Sequence, residues 1–166
     1  EWDESIDRSS EIKKDIQLSQ NEIIEKIKEK GIVGLGGACF PTHIKYLIPE
    51  GKKADTLIIN AVECEPYLTS DHRLMLDHAE ESIIGVQILM KALNVNKAYI
   101  GIENNKPDAI QNLKNLLKNS KSIEIVPLKL KYPQGAEKQL IDAITGRKVP
   151  SGKLPIDVGC VVNNIG

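Results

Sequence analysis

Thr56-Leu57-Ile58-Ile59-Asn60-Ala61-Val62-Glu63-Cys64-Glu65-Pro66 begins as a nearly continuous apolar run and turns polar at its carboxyl end. The run over residues 56–61 predicts a β-strand buried on both faces, which is typical of a parallel sheet covered by helices. Ligands of such sheets bind beyond the carboxyl ends of the strands. We therefore expect the polar segment from Asn60 to Pro66 to lie at the binding edge of the sheet.

The downstream sequence alternates between helical and strand patterns, and the helical segments are long enough to be crossovers between parallel strands. The expected elements are helices over 74–93, 107–117 and 139–145 and strands over 98–102, 123–127 and 161–162. This β-α-β-α-β-α order predicts an α/β protein with a Rossmann-like layered fold, in which helices flank a mostly parallel sheet.

The upstream sequence predicts one more helix and a polar lead. Ser19 and Glu22 have the spacing of a capping box, and Gly31 suits the end of the helix that they open. Residues 1–18 are polar and charged, so we expect a flexible lead or the end of an upstream segment, followed by one domain over 19–166. Because the first residue is Glu1 rather than Met, we expect a cut or processed chain.

Gly34-Leu35-Gly36-Gly37-Ala38-Cys39-Phe40-Pro41-Thr42 is the second informative stretch. Glycines reach positive φ and allow close approach to the main chain, and successive N–H groups in such a run can form an anion-binding nest. Pro41 suits the first turn of a helix, whose N-terminus also favours negative charge. The stretch predicts a phosphate site, and the alternative interpretation is a mobile glycine linker.

Composition excludes several classes of partner. The chain has 166 residues with 41% hydrophobic and 27% charged residues, as expected for one soluble globular domain. A formal net charge of −1 provides no net positive potential that would attract nucleic acid. The aromatic content of 4% argues against surfaces on which bases stack. No apolar run approaches the roughly 20 residues that span a bilayer. We expect no nucleic-acid partner and no direct membrane insertion.

The cysteines Cys39, Cys64 and Cys160 are odd in number and form no C-x-x-C pair. This pattern fits a reducing compartment and provides no iron–sulfur or zinc framework within the chain. Glu63 and Glu65 are a weak candidate for a metal site, because no histidine stands near them at ligand spacing. We therefore expect no metal here.

Four segments taken together are specific, although each alone is weak. They are Gly-Leu-Gly-Gly-Ala-Cys-Phe-Pro-Thr-His-Ile-Lys (34–45), Asn-Ala-Val-Glu-Cys-Glu-Pro (60–66), Tyr-Pro-Gln-Gly-Ala-Glu-Lys-Gln (132–139), and Thr-Gly-Arg-Lys-Val-Pro-Ser-Gly (145–152) followed by Asp-Val-Gly-Cys-Val-Val-Asn-Asn (157–164). From about residue 22 onward the chain resembles the RnfC family, the C subunits of Rnf electron-transport complexes. It is more distantly similar to the flavin-bearing NADH-oxidising subunit of respiratory complex I.

The resemblance implies a non-covalent FMN that takes hydride from NADH or returns it to NAD⁺. In Rnf complexes this exchange connects ferredoxin with NAD⁺ and is coupled to ion translocation. The implied partners are the other subunits of a membrane-bound complex and, indirectly, ferredoxin, and the implied location is cytoplasmic, peripheral on the inner face of the cell membrane. Family members also carry [4Fe–4S] clusters in a region for which this chain has no cysteines, so we expect an excised module that accepts hydride without passing single electrons onward.

The resemblance also assigns roles by position. The implied flavin-binding residues are Gly34, Gly36, Gly37, Lys45, Asn60, Glu63, Gly135, Asn163 and Asn164, and those facing NADH are Phe40 and Glu137. In this assignment the three loop glycines wrap the flavin, and the two asparagines near the C-terminus reach its phosphate side. No side chain is assigned as a catalytic acid or base, because the flavin carries the chemistry.

Three positions depart from the wider family pattern. Complex I flavoproteins place acids where Val62 and Ala136 stand, which favours the Rnf branch. Cys39 occupies a position where glycine is usual, which is acceptable if its φ is negative, and it is either redox-active or a small hydrophobic replacement. Two alternatives to an Rnf module stay open: the equivalent domain of an electron carrier of the clostridial proline reductase system, and a non-catalytic docking domain.

Overall fold

A computed structural model describes residues 17–35 and 38–166 of the chain. Within these residues a parallel sheet is formed by β1 (Thr56–Ala61), β2 (Ala98–Glu103), β3 (Ile123–Leu128) and β4 (Cys160–Asn164). The strand order is β3-β2-β1-β4, and every pairing is parallel. The prediction of an α/β layered fold with a parallel sheet is confirmed.

The helices are α1 (Gln20–Glu29), α2 (Thr42–Tyr46), α3 (Ser70–Asp77), α4 (Ala79–Leu93), α5 (Pro107–Leu116) and α6 (Glu137–Thr145), with a 3₁₀ turn at Pro155–Val158. Buried residues of α1, α3, α4 and α5 pack on one face of the sheet, and those of α6 pack on the other. The sheet is therefore covered on both faces, which explains why β1 reads as a continuous apolar run.

Strand β1 lies between β2 and β4, with Leu57 and Ile58 completely buried. The chain leaves β1 toward β2 and β3 on one side and later returns to place β4 on the other side. The strand order therefore reverses at β1, and such a switch point opens a crevice at the carboxyl ends of the two strands. Asn60 and Asn164 are register partners at this edge.

The capping box of α1 forms as predicted. Glu22 Oε2 accepts a hydrogen bond of 2.8 Å from the backbone N–H of Ser19, whose hydroxyl accepts in turn from the Glu22 N–H. The helix ends near Gly31, which has φ of +64°. Helix α2 begins at Thr42, so Pro41 precedes its first turn. The sequence predicts Pro41 within that turn, and this prediction is wrong by one position.

The prediction of one continuous helix over 74–93 is wrong. The backbone leaves the helical conformation at His78, where φ is −130° and ψ is 39°, so α3 ends before it and α4 begins after it. The apolar period hides this break because Met75 and Ala79, four positions apart, are both buried on the sheet side. The pattern therefore predicted the buried face correctly and the helix boundary incorrectly.

Candidate functional site

A cavity of about 690 Å³ opens beyond the carboxyl ends of β1 and β4. Its volume is within the range of roughly 300–1,000 Å³ that is usual for small-molecule and cofactor sites. The predicted site residues that line it are Gly34, Phe40, Lys45, Asn60, Glu63, Gly135, Glu137 and Asn164. Gly36 and Gly37 lie outside the described residues, and Cys39 and Asn163 do not contribute to the lining.

The Asn60 side chain connects three parts of the cavity wall. Its Nδ2 donates to the Gly135 carbonyl at 3.1 Å and to Asn164 Oδ1 at 3.3 Å. Its Oδ1 accepts from the backbone N–H of Val62 at 3.2 Å. One side chain thus holds the end of β1, the loop before α6 and the end of β4 together.

The glycine loop is closed at its base by main-chain hydrogen bonds. The Gly34 N–H donates to the Phe40 carbonyl at 2.9 Å, and the Thr42 N–H donates to the Ile32 carbonyl at 3.0 Å. The Gly34 amide is therefore used by the loop itself and not by a ligand. The anion nest that the sequence predicts falls on Gly36 and Gly37, outside the described residues, and stays a prediction.

Cys39 adopts the left-handed conformation, with φ of +48°. The sequence leads us to expect that a side chain is acceptable here if φ is negative, and that condition is not met. A left-handed L-residue costs roughly 1–2 kcal/mol of conformational energy. The thiol is exposed and lies outside the cavity lining, so its redox role stays a prediction.

Lys45 projects from α2 into the cavity wall. Its Nζ donates to the Val162 carbonyl at 2.7 Å and lies 3.5 Å from Glu137 Oε1 at the start of α6. Among the described lining residues Lys45 is the one cation, while the carboxylates are Glu63, Glu65, Asp71 and Glu137. Helix α2 has five residues, so its dipole is small and the lysine supplies most of the positive charge on this side.

Both carboxylate oxygens of Glu63 are already held by protein donors. Oε1 accepts from the Asp71 N–H at 2.9 Å, Oε2 accepts from the His72 N–H at 3.1 Å, and Lys106 Nζ lies 3.2 Å from Oε2. Burial works to raise the pKa of Glu63, but the two amide hydrogen bonds and Lys106 outweigh it, so the pKa lies below its ordinary value. Glu63 therefore caps α3 as an ionised carboxylate while it lines the cavity.

The two neighbouring asparagines of β4 face opposite sides of the sheet, as alternate strand residues must. Asn164 lines the cavity, and its Oδ1 accepts a hydrogen bond from Asn60. Asn163 Oδ1 instead accepts from the Tyr46 hydroxyl at 3.2 Å, and burial raises the pKa of that hydroxyl, which keeps it protonated. The structure thus brings one of the two predicted asparagines into the cavity.

A second group of charged residues, which was not predicted from the sequence, lies behind the cavity. Glu103 is the last residue of the buried strand β2 and Lys106 follows it, just as Asn60 and Glu63 mark the end of β1. Applying the same reasoning to β2 would have identified them. Asp71 also lines the cavity, and its pKa is raised by burial and by the nearby Glu63 charge.

Metal sites and membrane spans are both absent from residues 17–35 and 38–166. No group of three or more His, Cys, Asp or Glu side chains in these ranges is arranged to hold a metal ion. No helix of this described part is long and apolar enough to cross a bilayer.

Curated relatives share about half of their aligned residues with this chain. The C subunit of the proton-translocating ferredoxin:NAD(+) oxidoreductase complex of Clostridium ljungdahlii is 53% identical over 166 residues, which is 100% of this chain and 35% of that protein. The C subunit of the Na(+)-translocating complex of Acetobacterium woodii is 52% identical over 90% of this chain and 34% of its own length. The chain thus spans about a third of these relatives, and the predicted resemblance to the RnfC family is confirmed.

A solved structure shares the fold. It is an NAD⁺-reducing [NiFe]-hydrogenase in the H₂-reduced state, matched with a TM-score of 0.75 at 24% identity over 89% of this chain and 29% of that one. The sequence model of the family described as the Nuo51 FMN-binding domain matches residues 27–166. This match covers most of the chain, including all four strands and every residue that lines the cavity at the carboxyl ends of β1 and β4. The chain therefore belongs to the Nuo51 FMN-binding domain family.

Proposed function

We propose that this chain is the FMN- and NAD(H)-binding module of the C subunit in an Rnf-type ferredoxin:NAD⁺ oxidoreductase. The observation that carries the proposal is that Gly34, Asn60 and Asn164, from three separate segments, line one cavity at the switch point of the sheet. Had the glycine loop and the end of β4 been on opposite sides of the molecule, the proposal would have no site.

The residues present fit FMN. The cavity is large enough for a cofactor, and its apolar walls come from Leu35, Phe40, Val62, Leu68 and Val162. The amide of Asn164, which Asn60 holds through its Oδ1, and the backbone groups beside it offer the fixed donors and acceptors that the polar edge of the flavin ring requires. Lys45 gives the phosphate a cation, and its ammonium has a donor beyond the carbonyl and carboxylate that it already contacts.

Bound FMN would supply the hydride chemistry, accepting hydride from NADH or returning it to NAD⁺. This chain's residues bind and orient the reactants. The Asn60 and Asn164 amides fix the polar edge of the cavity, Lys45 neutralises phosphate, and Glu63 keeps α3 in the wall. Phe40 is 45% exposed at the cavity, so its ring is available to stack on an entering dinucleotide.

The longer protein would supply the rest of the reaction. The matched C subunits are about three times as long as this chain, and we propose that their remaining part carries the [4Fe–4S] clusters that receive single electrons. Association with the other subunits at the cytoplasmic face of a membrane, and exchange with ferredoxin, belong to that whole complex. The present chain contributes the step between nicotinamide and flavin.

Titration of the protein with FMN, followed by quenching of flavin fluorescence, tests this function. We expect saturable binding at one FMN per chain and bleaching of the bound flavin by NADH. Lys45→Met should weaken binding at least about tenfold, the equivalent of about 1.4 kcal/mol. Lys52→Met is the matched control, because Lys52 pairs with Asp157 outside the cavity. Absence of saturable quenching would refute the proposal.

A further inference from the structure

A buried ion cluster lies behind the cavity at the carboxyl end of β2. Glu103 is completely buried, and Lys106 is 5% exposed. Lys106 Nζ lies 3.5 Å from Glu103 Oε2 and 3.2 Å from Glu63 Oε2, so one ammonium stands between two carboxylates. A tight turn, with the Lys106 N–H donating to the Glu103 carbonyl at 3.1 Å, brings the two β2-end residues together.

The cluster is connected to the cavity through Glu63 alone of its three members. Glu63 lines the cavity and accepts hydrogen bonds from the first amides of α3, those of Asp71 and His72. Ser70 and Asp71, in that first turn, also line the cavity. The contacts thus run from Glu103 through Lys106 and Glu63 to the cavity wall.

This arrangement is a poor way to gain stability. Two carboxylates share one ammonium, and Glu103 Oε1 has no hydrogen-bond partner among the described residues. Burying charges costs several kcal/mol per ion, on the order of what a good pair returns, and apolar replacements are often equally stable or more so. A costly buried cluster that touches a binding site through one member points to a role at that site.

We propose that Lys106, backed by Glu103, is a positioning residue that holds the Glu63 carboxylate, and through it the first turn of α3, in the arrangement that FMN binding needs. The inference rests on the proposed function for its ligand. Lys106 does not line the cavity, so it acts only through Glu63. The lysine adds its charge to the hydrogen bonds that the Asp71 and His72 amides donate to Glu63, and Glu103 contacts the same ammonium from behind.

The test uses five variants. Lys106→Met/Glu103→Gln removes the lysine together with the carboxylate that would otherwise be left buried and unpaired, so it guards against loss of folding in Lys106→Met alone. Glu103→Gln retains the Glu63–Lys106 contact. Asp108→Asn is the matched control, because it weakens the 2.9 Å contact of Asp108 with His72, which also ties α3 to α5, without touching Glu63. Glu63→Gln is used alone and in combination with Lys106→Met/Glu103→Gln, and the two form a double-mutant comparison with the first variant and wild type.

Two measurements are made on each variant: amide hydrogen exchange of Asp71 and His72, and the Kd for FMN. In the double variant we expect the exchange rate of these amides and the Kd for FMN each to rise at least about tenfold over wild type, with Asp108→Asn unchanged. Glu103→Gln should raise both by less than the double variant does, because the glutamine amide oxygen still accepts from the Lys106 ammonium. In the Glu63→Gln background, removing Lys106 should change the Kd for FMN by less than about twofold, because the interaction partner is already gone.

Several results would overturn the inference. Unchanged exchange at both amides in the double variant would show that Lys106 does not hold the α3 turn. Faster amide exchange with an unchanged Kd for FMN would show that the arrangement of the first turn of α3 does not affect FMN binding. An additive loss in the Glu63→Gln background would show that Lys106 acts elsewhere. Failure of the wild-type protein to bind FMN would instead refute the proposed function. The exchange data would still decide whether Lys106 holds the first turn of α3.

Discussion

Replacing Asn60 by alanine removes the side chain that joins three segments of the cavity wall. The substitution deletes two donated hydrogen bonds, to Gly135 and Asn164, and one accepted from the Val62 N–H. Each is worth about 0.5–1.5 kcal/mol net, and groups left without a partner cost more. Because the site is partly open to water, which replaces part of this loss, we expect the free energy of unfolding to fall by about 2 kcal/mol.

Urea denaturation followed by circular dichroism measures this change, and the m-value should stay constant because the fold is retained. The midpoint of thermal unfolding should fall by about 4–8 °C, given roughly 2–4 °C per kcal/mol for a domain of this size. In the same variant the Kd for FMN should rise at least about tenfold, since the wall that Asn60 organises is part of the proposed site.

Asn112→Ala is the matched control. Its amide makes one hydrogen bond, donated to the Met75 carbonyl at 3.1 Å, and lies away from the cavity. We expect a loss of about 1 kcal/mol in stability and no change in the Kd for FMN. If Asn60→Ala cost no more stability than Asn112→Ala and bound FMN normally, the reasoning that places Asn60 at the centre of the site would be refuted.

Three further predictions concern packing, backbone conformation and charge. Gly101→Ala should destabilise by about 1–3 kcal/mol in urea unfolding, because a Cβ would lie 3.0–3.1 Å from three side-chain methyl groups. Gly85→Ala should instead stabilise helix α4 by about 0.5–1 kcal/mol, because a Cβ there would meet no atom within 4 Å beyond the neighbouring helix backbone. Cys39→Gly should raise the free energy of unfolding by about 0.5–1 kcal/mol by relieving the left-handed strain, and a decrease would contradict the positive φ. Because the pKa of Glu63 in the folded protein is lowered, its contribution to stability is present above its unfolded pKa and is lost as the pH falls through the folded value. Glu63→Gln should therefore reduce the fall in the free energy of unfolding at acid pH. The control Glu65→Gln should not, because Glu65 is exposed.

The sheet could be predicted because its central strand is buried on both faces. A continuous apolar run such as that of β1 has few other interpretations when long helical patterns surround it. The placement of Asn60 at the cavity follows from the same observation, because ligands bind at the carboxyl ends of parallel strands. The break between α3 and α4 could not be predicted from the sequence, because the helical spacing of buried apolar residues continues across it.

Other features of the site depend on contacts that a linear pattern does not show. Which of Asn163 and Asn164 faces the cavity is decided by the register of β4 against β1. Glu63 lines the cavity, and its role at the flavin edge stays a prediction; the sequence does not show that its oxygens also accept from α3 and contact Lys106, which approaches from the end of the next strand. Cys39, whose φ is left-handed, lies next to Phe40, whose carbonyl accepts the hydrogen bond from the distant Gly34 N–H.

We propose that FMN occupies the cavity formed by the glycine loop, Asn60 and Asn164. The most direct measurement is a titration of ¹⁵N-labelled protein with FMN, followed by ¹H–¹⁵N correlation spectra. We predict that the side-chain amide signals of Asn60 and Asn164 and the backbone signal of Gly135 shift and saturate at one equivalent of FMN. Saturation with these three signals unmoved, and others on the far side of the sheet shifted instead, would contradict the claim.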